Sequence, residues 1–476
     1  MLLSLAALGV RGANELDCRR LYEQVDRTVQ RALVRDAQEE AVRGSPYLRS
    51  NRFIASRLAQ NLDAEQFEFL LRQMRTLDST ARRIELGNLP RNIRESLERE
   101  NRHLFADQND VTNSLDECGE LLLATQQPSL ENLKKNVSTP VRYSLFKRVL
   151  GLYPLSAIPF ARGIRKFQNE MTQIYAKSLN DVVDQGNVVI YTPPTGDAID
   201  VAATLRDASK NPLQMPLPSP ELAAQLFATF APNFAVDTRG TFDHPGTIEW
   251  AGGNRLNVDS SNIRIYTLMS HTTLAGKILL QLNYMIWFSE RPKKDAFDML
   301  GGALDGLIWR VTLAPDGTPL LHDSIHPCGC YHLFFPSEKL RTKPPHPSLQ
   351  EHAFIPQALP TVKDGERVTV WIKSATHYVI RVSAETLRES NPYLFANYDD
   401  LRAMPTRDGG SRSLFRPDAL VTGTERGERI FFWPMGIASA GAMRQWGHHA
   451  TAFVGMRHFD DADLIEKAFD WDKDWQ

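Results

Sequence analysis

The stretch Lys277-Ile-Leu-Leu-Gln-Leu-Asn-Tyr-Met-Ile-Trp-Phe288 decides the fold class of the larger part of the chain. It is apolar on both faces, which is typical of a central β-strand that is covered on both sides. It is too short and too polar for a membrane-spanning helix. A neighbouring strand is predicted over residues 263–269. These residues therefore predict a β-rich domain with a buried central strand.

Turn residues and apolar runs extend this domain towards the carboxyl terminus. Ala314-Pro-Asp-Gly317 has the composition of a tight turn and lies between two apolar runs, so it predicts a hairpin. Further strands are predicted at residues 187–191, 304–313, 318–325, 368–372, 378–382 and 429–433. Short helices are predicted near 221–230 and over 461–475. The predicted hairpins indicate a mainly antiparallel arrangement.

The first part of the chain, residues 14–185, predicts helices instead. Asp63-Ala-Glu-Gln66 resembles a capping box, and apolar residues then recur at alternating steps of three and four. Arginines such as Arg75 and Arg82 occupy the opposite face, which we interpret as solvated. The predicted fold class is therefore α+β, with a helical N-terminal domain over 14–185 and a larger, mainly antiparallel β domain over 186–476.

Composition and missing motifs exclude several classes of protein. The chain has 476 residues, with 55 lysines and arginines against 57 aspartates and glutamates, and this net charge of −2 argues against a nucleic-acid partner. The hydrophobic fraction of 42% is that of an ordinary folded protein. The sequence has no Walker A loop, no strand-associated G-x-G-x-x-G and no H-E-x-x-H, so ATP, NAD and zincin chemistry are not expected.

Two features favour export to the periplasm or cell envelope. Residues 1–13 begin with the apolar run Met1–Val10, which resembles the core of a signal peptide although a basic start is missing. Cys18 and Cys118 lie on apolar helical stripes and would both face the inside of a helical domain. They form either a disulfide, as exported proteins allow, or two buried thiols, and the sequence leaves both alternatives open.

An apolar segment with basic flanks lies within residues 145–167. Its apolar run from Val149 to Ala161 follows Lys147-Arg148, precedes Arg162, and contains two prolines that predict an interrupted helix. Aromatic and basic residues around an apolar run suit a membrane interface, so contact with a membrane surface is one interpretation. A buried connector between helices is the other interpretation.

The densest set of chemical groups is His322-Asp-Ser-Ile-His-Pro-Cys-Gly-Cys-Tyr-His332. If this run is extended, four ligand-type residues share a face, because successive side chains alternate along a strand. These residues are His326, Cys328, Cys330 and His332. Same-face residues are roughly 6.6 Å apart, so one metal ion reaches only neighbouring members unless the intervening proline and glycine bend the chain.

Ligands from other strands would complete a metal site. His271 and His377 are the candidates, because each adjoins a predicted core strand. Asp305 or Asp323 would orient a ligating imidazole through its second nitrogen. Thiolate and imidazole ligands together favour zinc or another transition metal. The predicted metal ligands are His326, Cys328, Cys330, His332, His271 and His377.

Other interpretations of this run stay open. The two cysteines form a disulfide with each other, one of them acts as a nucleophile with a histidine base, or the whole run is a buried turn. A second polar patch holds His448, His449 and His458 beside Arg444, and these histidines either line a pocket or are structural. Ser439 lacks the G-x-S-x-G pattern, so no hydrolase nucleophile is predicted there.

These observations lead us to expect an exported or envelope-associated metal-binding protein. Metal-assisted hydrolysis is the simplest reaction for such a site, because a bound metal lowers the pKa of its water ligand. The alternative is a non-catalytic envelope or partner-binding module in which the Cys/His cluster only stabilises the β domain. The sequence predicts neither a substrate nor a catalytic residue.

Overall fold

The computed structural model describes residues 14–102, 110–183, 187–253, 255–344, 349–386 and 390–471. The signal-like segment 1–13 lies outside these described residues. The described helices are α1 (Glu15–Ala32), α2 (Arg52–Leu58), α3 (Ala64–Gly87), α4 (Arg91–Asn101), α5 (Val111–Thr125), α6 (Leu130–Asn136), α7 (Leu145–Leu150), α8 (Tyr153–Ala176), α9 (Leu179–Val182), α10 (Val201–Ala208), α11 (Pro220–Phe230), α12 (Arg429–Phe432) and α13 (Leu464–Ala468).

The described strands lie mainly in the second part of the chain. They are β1 (Glu40–Val42), β2 (Ser45–Ser50), β3 (Val188–Thr192), β4 (Asn233–Asp237), β5 (Thr247–Gly252), β6 (Arg255–Asp259), β7 (Arg264–Leu274), β8 (Lys277–Arg291), β9 (Gly302–Leu313), β10 (Pro319–Ile325), β11 (Leu333–Pro336), β12 (Leu340–Thr342), β13 (Arg367–Ile372), β14 (Val379–Glu385), β15 (Asn391–Pro392), β16 (Leu394–Asn397), β17 (Met404–Pro405), β18 (Ser411–Arg412) and β19 (Phe469–Trp471). This distribution confirms the predicted α+β class with a larger β region.

The chain divides into two compact units. Unit 1 comprises Met1–Pro140 and Leu401–Ala419, and unit 2 comprises Val141–Asp400 and Leu420–Gln476. Unit 1 is therefore completed by a segment from late in the sequence. The boundary near residue 185 stays a prediction, and the helices α7 to α9 that precede it belong to unit 2.

Unit 1 packs α1 and α3 against α5, and α3 also packs on β2. A disulfide joins Cys18 of α1 to Cys118 of α5, with 5.2 Å between the Cα atoms, so the disulfide alternative is confirmed. The capping box predicted at the start of α3 is also confirmed, because the side chain of Asp63 accepts from the Gln66 amide.

Several charged side chains of unit 1 are buried. Arg49 of β2 pairs with Asp78 (3.3 Å) and Glu85 (2.8 Å), both on α3. Arg82 lies 3.3 Å from the same Asp78 carboxylate, and Arg75 lies 3.7 Å from it. The prediction that these two arginines occupy a solvated face is wrong, because β2 and α5 cover that face and carboxylates neutralise the buried charge.

Unit 2 contains two main sheets. The larger has the strand order β11-β10-β9-β8-β7-β16, antiparallel except between β7 and β16, and the predicted central strand β8 is buried along most of its length. The other has the order β14-β13-β4-β3-β15, with parallel pairs β4–β13 and β3–β15. Side chains from both sheets, α8 and α11 form one hydrophobic core, with Trp309 and Phe234 among its largest members.

Local structure departs from the sequence-based prediction at three places. Residues 429–433 form α12 and the start of a 3-10 turn, because a run of four apolar residues does not distinguish a strand from a helix. The helix predicted over 461–475 is shorter, since α13 gives way to β19. The predicted interruption by prolines is wrong. Pro154 lies in the first turn of α8, where its missing N–H would have no helical partner. Pro159 lies inside α8 but is exposed, so water can donate to the helix carbonyl that Pro159 leaves without a hydrogen-bond donor.

Candidate functional site

The Cys/His run forms a turn between β10 and β11. The amide of His326 donates to the Cys330 carbonyl (3.0 Å), and the amide of Gly329 donates to the His326 carbonyl (2.7 Å). Gly329 has a φ of +92°, and an added Cβ would collide with the carbonyl oxygen of Ala450. Of the alternatives left open for residues 326–332, the structure therefore has the bend at the intervening proline and glycine and not the extended strand.

The turn brings the two thiols of unit 2 together. Cys328 and Cys330 are buried and do not form a disulfide with each other. A side-chain hydrogen bond with Cys328, burial, and the nearby carboxylate of Glu428 raise the pKa of Cys330 well above its ordinary value. The Cys330 thiol is therefore protonated at neutral pH, which disfavours a resting thiolate nucleophile at this position.

A buried chain of carboxylates and imidazoles lies next to the turn. Asp305 of β9 accepts from Nδ1 of His377 (2.8 Å) and from Nδ1 of His326 (3.3 Å). Nε2 of His377 lies 3.4 Å from Oδ1 of Asp243. Burial alone would lower the pKa of His377, but its hydrogen bonds with Asp243 and Asp305 raise it. Burial lowers the pKa of His326, so His377 keeps its proton to a higher pH than His326 does.

The imidazole of His377 has fixed contacts on several sides. Asp243 accepts from the Ser374 hydroxyl (2.7 Å) and the Ala375 amide (2.7 Å), within the turn that carries His377. Burial opposes ionisation of Asp243, yet the hydrogen bonds from His377 and this turn lower its pKa. The imidazole of His377 stacks on Phe288 with 3.9 Å between ring centroids. The two carboxylates therefore share one fixed imidazole.

The remaining predicted ligands have partners of their own. Nε2 of His332 donates to Asp323 (2.8 Å), whose carboxylate also pairs with Arg310 (2.5 Å). Burial lowers the pKa of His332 to about 3. Nε2 of His271 donates to the carbonyl of Pro216 (2.8 Å), and burial lowers the pKa of this histidine to about 4. The two carboxylates expected to orient imidazoles, Asp305 and Asp323, do contact them.

The predicted ligands are thus distributed over several environments. Among the residues that the structure describes, no group of three or more His, Cys, Asp or Glu side chains is arranged to hold a metal ion. The thiols of Cys328 and Cys330 are in contact, and His326 and His377 share Asp305. His332 and His271 are hydrogen-bonded to other partners, as described above. Zinc binding by the full predicted set stays a prediction.

The second polar patch organises a loop. Arg444 donates to the carbonyls of Cys328 (3.1 Å) and Ser439 (2.8 Å). Nε of Arg142 donates to Nδ1 of His448 (2.6 Å), and its amide donates to Nε2 of His458 (3.3 Å). Burial lowers the pKa of His449, the third histidine of the patch, to about 3. These contacts agree with the structural interpretation of the patch.

A cavity of about 590 Å³ lies within unit 2, beside α8 and the Cys/His turn. Most of its wall is apolar and aromatic. The apolar wall includes Phe160, Ile164, Phe167, Phe354, Phe432 and Phe453. Polar side chains also face this space, although they contribute less of its exposed area. They include Cys330, Tyr331, Tyr378, Glu428 and Arg457.

The polar wall connects the cavity to the buried imidazole chain. Burial raises the pKa of Glu428 to about 7, so this carboxyl is partly protonated at neutral pH. The rings of Tyr331 and Tyr378 lie 4.5 Å apart, and Arg291 donates to the Tyr378 hydroxyl (3.3 Å). The His326 ring lies 5.0 Å from Tyr331 and 5.7 Å from Tyr378, so these two rings separate it from the cavity.

Sequence reasoning missed three residues of this region. Asp243, Arg291 and Glu428 come from separate segments, and no motif or periodic spacing marks any of them. Comparison with protein families, curated proteins and solved structures finds no match to this chain. The geometry of the cavity and its walls is therefore the main indication of function.

Proposed function

We propose that unit 2 binds a small molecule with a largely apolar body and one hydrogen-bonding end. The cavity beside α8 carries this proposal. Small-molecule sites are concave, mostly apolar, and about 300–1,000 Å³ in volume, with a few polar groups that fix the orientation of the ligand. The cavity of about 590 Å³ lies in this range of volume, and most of its exposed wall is apolar.

The two walls would hold the two ends of such a molecule. The aromatic side chains of α8 and its neighbours offer an apolar surface, whose burial by a ligand is favourable by roughly 25 cal/mol per Å². Glu428, with a pKa of about 7, can donate to or accept from a polar head group near neutral pH. Arg457 and the two tyrosines also line the cavity and carry further hydrogen-bonding groups.

A single substitution in α8 tests this proposal. Gly163 lines the cavity, and a Cβ at this position would meet open space. Gly163→Trp should therefore fill the cavity without disturbing the backbone, and should weaken binding of a dansyl-labelled fatty acid by at least about tenfold, or about 1.4 kcal/mol. Fluorescence titration of the full chain measures the dissociation constant.

The matched control is Gly163→Ala. Like Gly163→Trp, it raises the helix propensity of α8 by removing a glycine. It leaves most of the cavity open, so the affinity should stay within about twofold of the wild type. Equal affinity of the wild type and Gly163→Trp would contradict the proposal, and so would an absence of binding by the wild type.

A second candidate function is binding of a thiophilic metal ion by Cys328 and Cys330. The observation that favours it is the direct interaction of the two thiols, with Glu428 close enough to influence the pKa of Cys330. Thiolate pairs suit zinc and other soft or borderline ions. A hydrolytic zinc centre usually has three protein ligands, and the described residues bring no third one to this pair, so we propose binding alone.

Elemental analysis separates this candidate from the cavity proposal. Protein purified without chelators should contain less zinc or copper after the double change Cys328→Ser and Cys330→Ser than before it. Equal metal content in the two proteins would contradict metal binding at this pair and would leave the Gly163 experiment unaffected.

We also propose that the chain works in the periplasm or at the cell envelope. The disulfide between Cys18 and Cys118 supports this location, because such bonds persist mainly in oxidising compartments. Detection of the protein in an osmotic-shock fraction, with this disulfide resistant to alkylation, would agree with the proposal. Recovery of the reduced protein only from the cytoplasm would contradict it.

A further inference from the structure

An apolar surface covers α7 and the start of α8. Leucine, valine and phenylalanine side chains that folding normally buries are exposed there. They are Leu145, Phe146, Val149, Leu150, Leu152 and Leu155. Ile430, Phe431 and Trp433 expose further apolar surface on α12 and the turn that packs against α7 and α8. We call these nine residues the apolar patch. Exposed patches of this kind mark interaction sites.

The apolar patch rests on a rigid backbone. The side chain of Arg148 is buried, and it donates to the carbonyls of Met435 (2.8 Å) and Gly455 (2.6 Å). The amide of Ser144 donates to the carbonyl of Gly436 (2.8 Å). These bonds join the segment that carries α7 to the segment that follows α12. The apolar side chains are therefore displayed by fixed elements.

Positive charge is concentrated beside the apolar patch. Residues 132–169 contain no aspartate or glutamate, and residues 141–169 contain six lysines and arginines, although the whole chain has a net charge of −2. Two of the six, Arg142 and Arg148, bond within unit 2. Arg162, Arg165 and Lys166 are exposed on α8, and Arg429 is exposed on α12. An apolar surface with basic neighbours is complementary to an anionic lipid surface.

We infer that the apolar patch docks on the surface of an anionic lipid bilayer. Its apolar side chains would enter the boundary between headgroups and acyl chains, while the neighbouring basic side chains face the lipid phosphates. No helix among the described residues is long and apolar enough to cross a bilayer, so this contact is with the surface. The inference does not depend on which molecule the cavity binds.

Cosedimentation of the full chain with vesicles tests the inference. Vesicles of phosphatidylcholine that contain about 30% phosphatidylglycerol should bind the protein roughly tenfold more strongly than phosphatidylcholine alone, and added salt should weaken this binding. Absence of binding to the anionic vesicles, or equal binding to both compositions, would overturn the inference.

Paired variants separate the apolar and basic contributions. Phe146→Asp with Leu150→Asp, and separately Arg162→Glu with Arg165→Glu, should each lower partitioning onto anionic vesicles by at least about tenfold. Val362→Asp and Lys363→Glu are the controls, since both residues are exposed in unit 2 outside the apolar patch, and they should leave partitioning within about twofold. Equal effects of patch and control variants would overturn the inference.

Trp433 reports the orientation directly. It is 41% exposed, whereas every other described tryptophan is buried. Brominated lipids should therefore quench part of the fluorescence of the bound wild type, and Trp433→Phe should remove this quenching while binding persists. Unquenched Trp433 on bound protein would overturn the inference. Light scattering provides a second check. If the wild type is a dimer and the double variant Phe146→Asp with Leu150→Asp is a monomer, a second copy of the chain covers the apolar patch and the inference is overturned.

Discussion

His377 is a buried imidazole between two buried carboxylates, which raise its pKa and so favour its cationic form. Its imidazole contacts Asp305 on one side and Asp243 on the other, and it stacks on Phe288. Such a group is stable inside a protein only while its partners remain ionised. Removal of the imidazole would leave two buried negative charges close together, so this residue should affect stability strongly.

We predict that stabilisation by His377 depends on pH. Its pKa is raised in the folded state, so the stabilisation is fully present below the unfolded pKa of about 6.5 and is lost as the pH rises through the folded pKa. Below pH 6.5, His377→Gln should lower the free energy of unfolding by about 3 kcal/mol. The difference from the wild type should shrink towards alkaline pH.

Urea denaturation between about pH 5 and pH 9 measures this difference. The pKa values of Asp243 and Asp305 are lowered, so both carboxylates stay charged across this range and the change comes from the imidazole. A difference between wild type and variant that does not vary with pH would contradict the assignment of charge to His377.

At the scale of elements, the turn from His326 to Cys330 positions the candidate thiols. Gly329 provides its positive φ and allows the close approach of Ala450. Glycine is the residue that adopts this conformation without strain, and here it also leaves room for a neighbouring carbonyl oxygen. Both properties are lost when a side chain is added.

We predict that Gly329→Ala destabilises unit 2 by about 1–3 kcal/mol and increases alkylation of Cys330 by iodoacetamide. The matched control is Gly365→Ala, because Gly365 also has a positive φ (+78°) but its added Cβ would meet open space. The control should lower the free energy of unfolding by less than Gly329→Ala does, and it should leave Cys330 protected from alkylation. Equal losses of stability in the two variants would show that the contact with Ala450 is unimportant.

The elements of the fold were predictable where a local pattern decides them. The strand pair β7–β8, the hairpin β9–β10 and the pair β13–β14 follow from apolar runs and turn residues, and all three are present.

The candidate site was less predictable. Alternation placed His326 and His332 on one strand face, but the turn gives each a different carboxylate partner. Long-range contacts such as that of Asp243 with His377 leave no pattern in sequence.

At the scale of the whole molecule, the two units have separate reporters. All eight tryptophans of the chain belong to unit 2, whereas helices α1 to α6 and the disulfide belong to unit 1. Tryptophan fluorescence therefore reports unfolding of unit 2 alone. Far-ultraviolet circular dichroism at 222 nm also reports the helices of unit 1.

We predict that Cys18→Ser with Cys118→Ser lowers the stability of unit 1 by about 2–5 kcal/mol, because the bond closes a loop of 100 residues in the unfolded chain. The circular dichroism transition in urea should move to lower concentration, while the tryptophan transition should stay where it is in the wild type. Equal shifts of both transitions would contradict this prediction and would show that the two units unfold as one.

The late segment of unit 1 has a consequence for synthesis. Arg402 pairs with the buried carboxylates of Asp36 (2.6 Å) and Glu39 (3.2 Å), and Arg402 and Asp36 are 366 positions apart in sequence. While the ribosome is still translating the first 400 residues, these acids lack their guanidinium and the N-terminal unit cannot reach its final state. Residues 141–400 are therefore synthesised before unit 1 receives the segment Leu401–Ala419 that completes it.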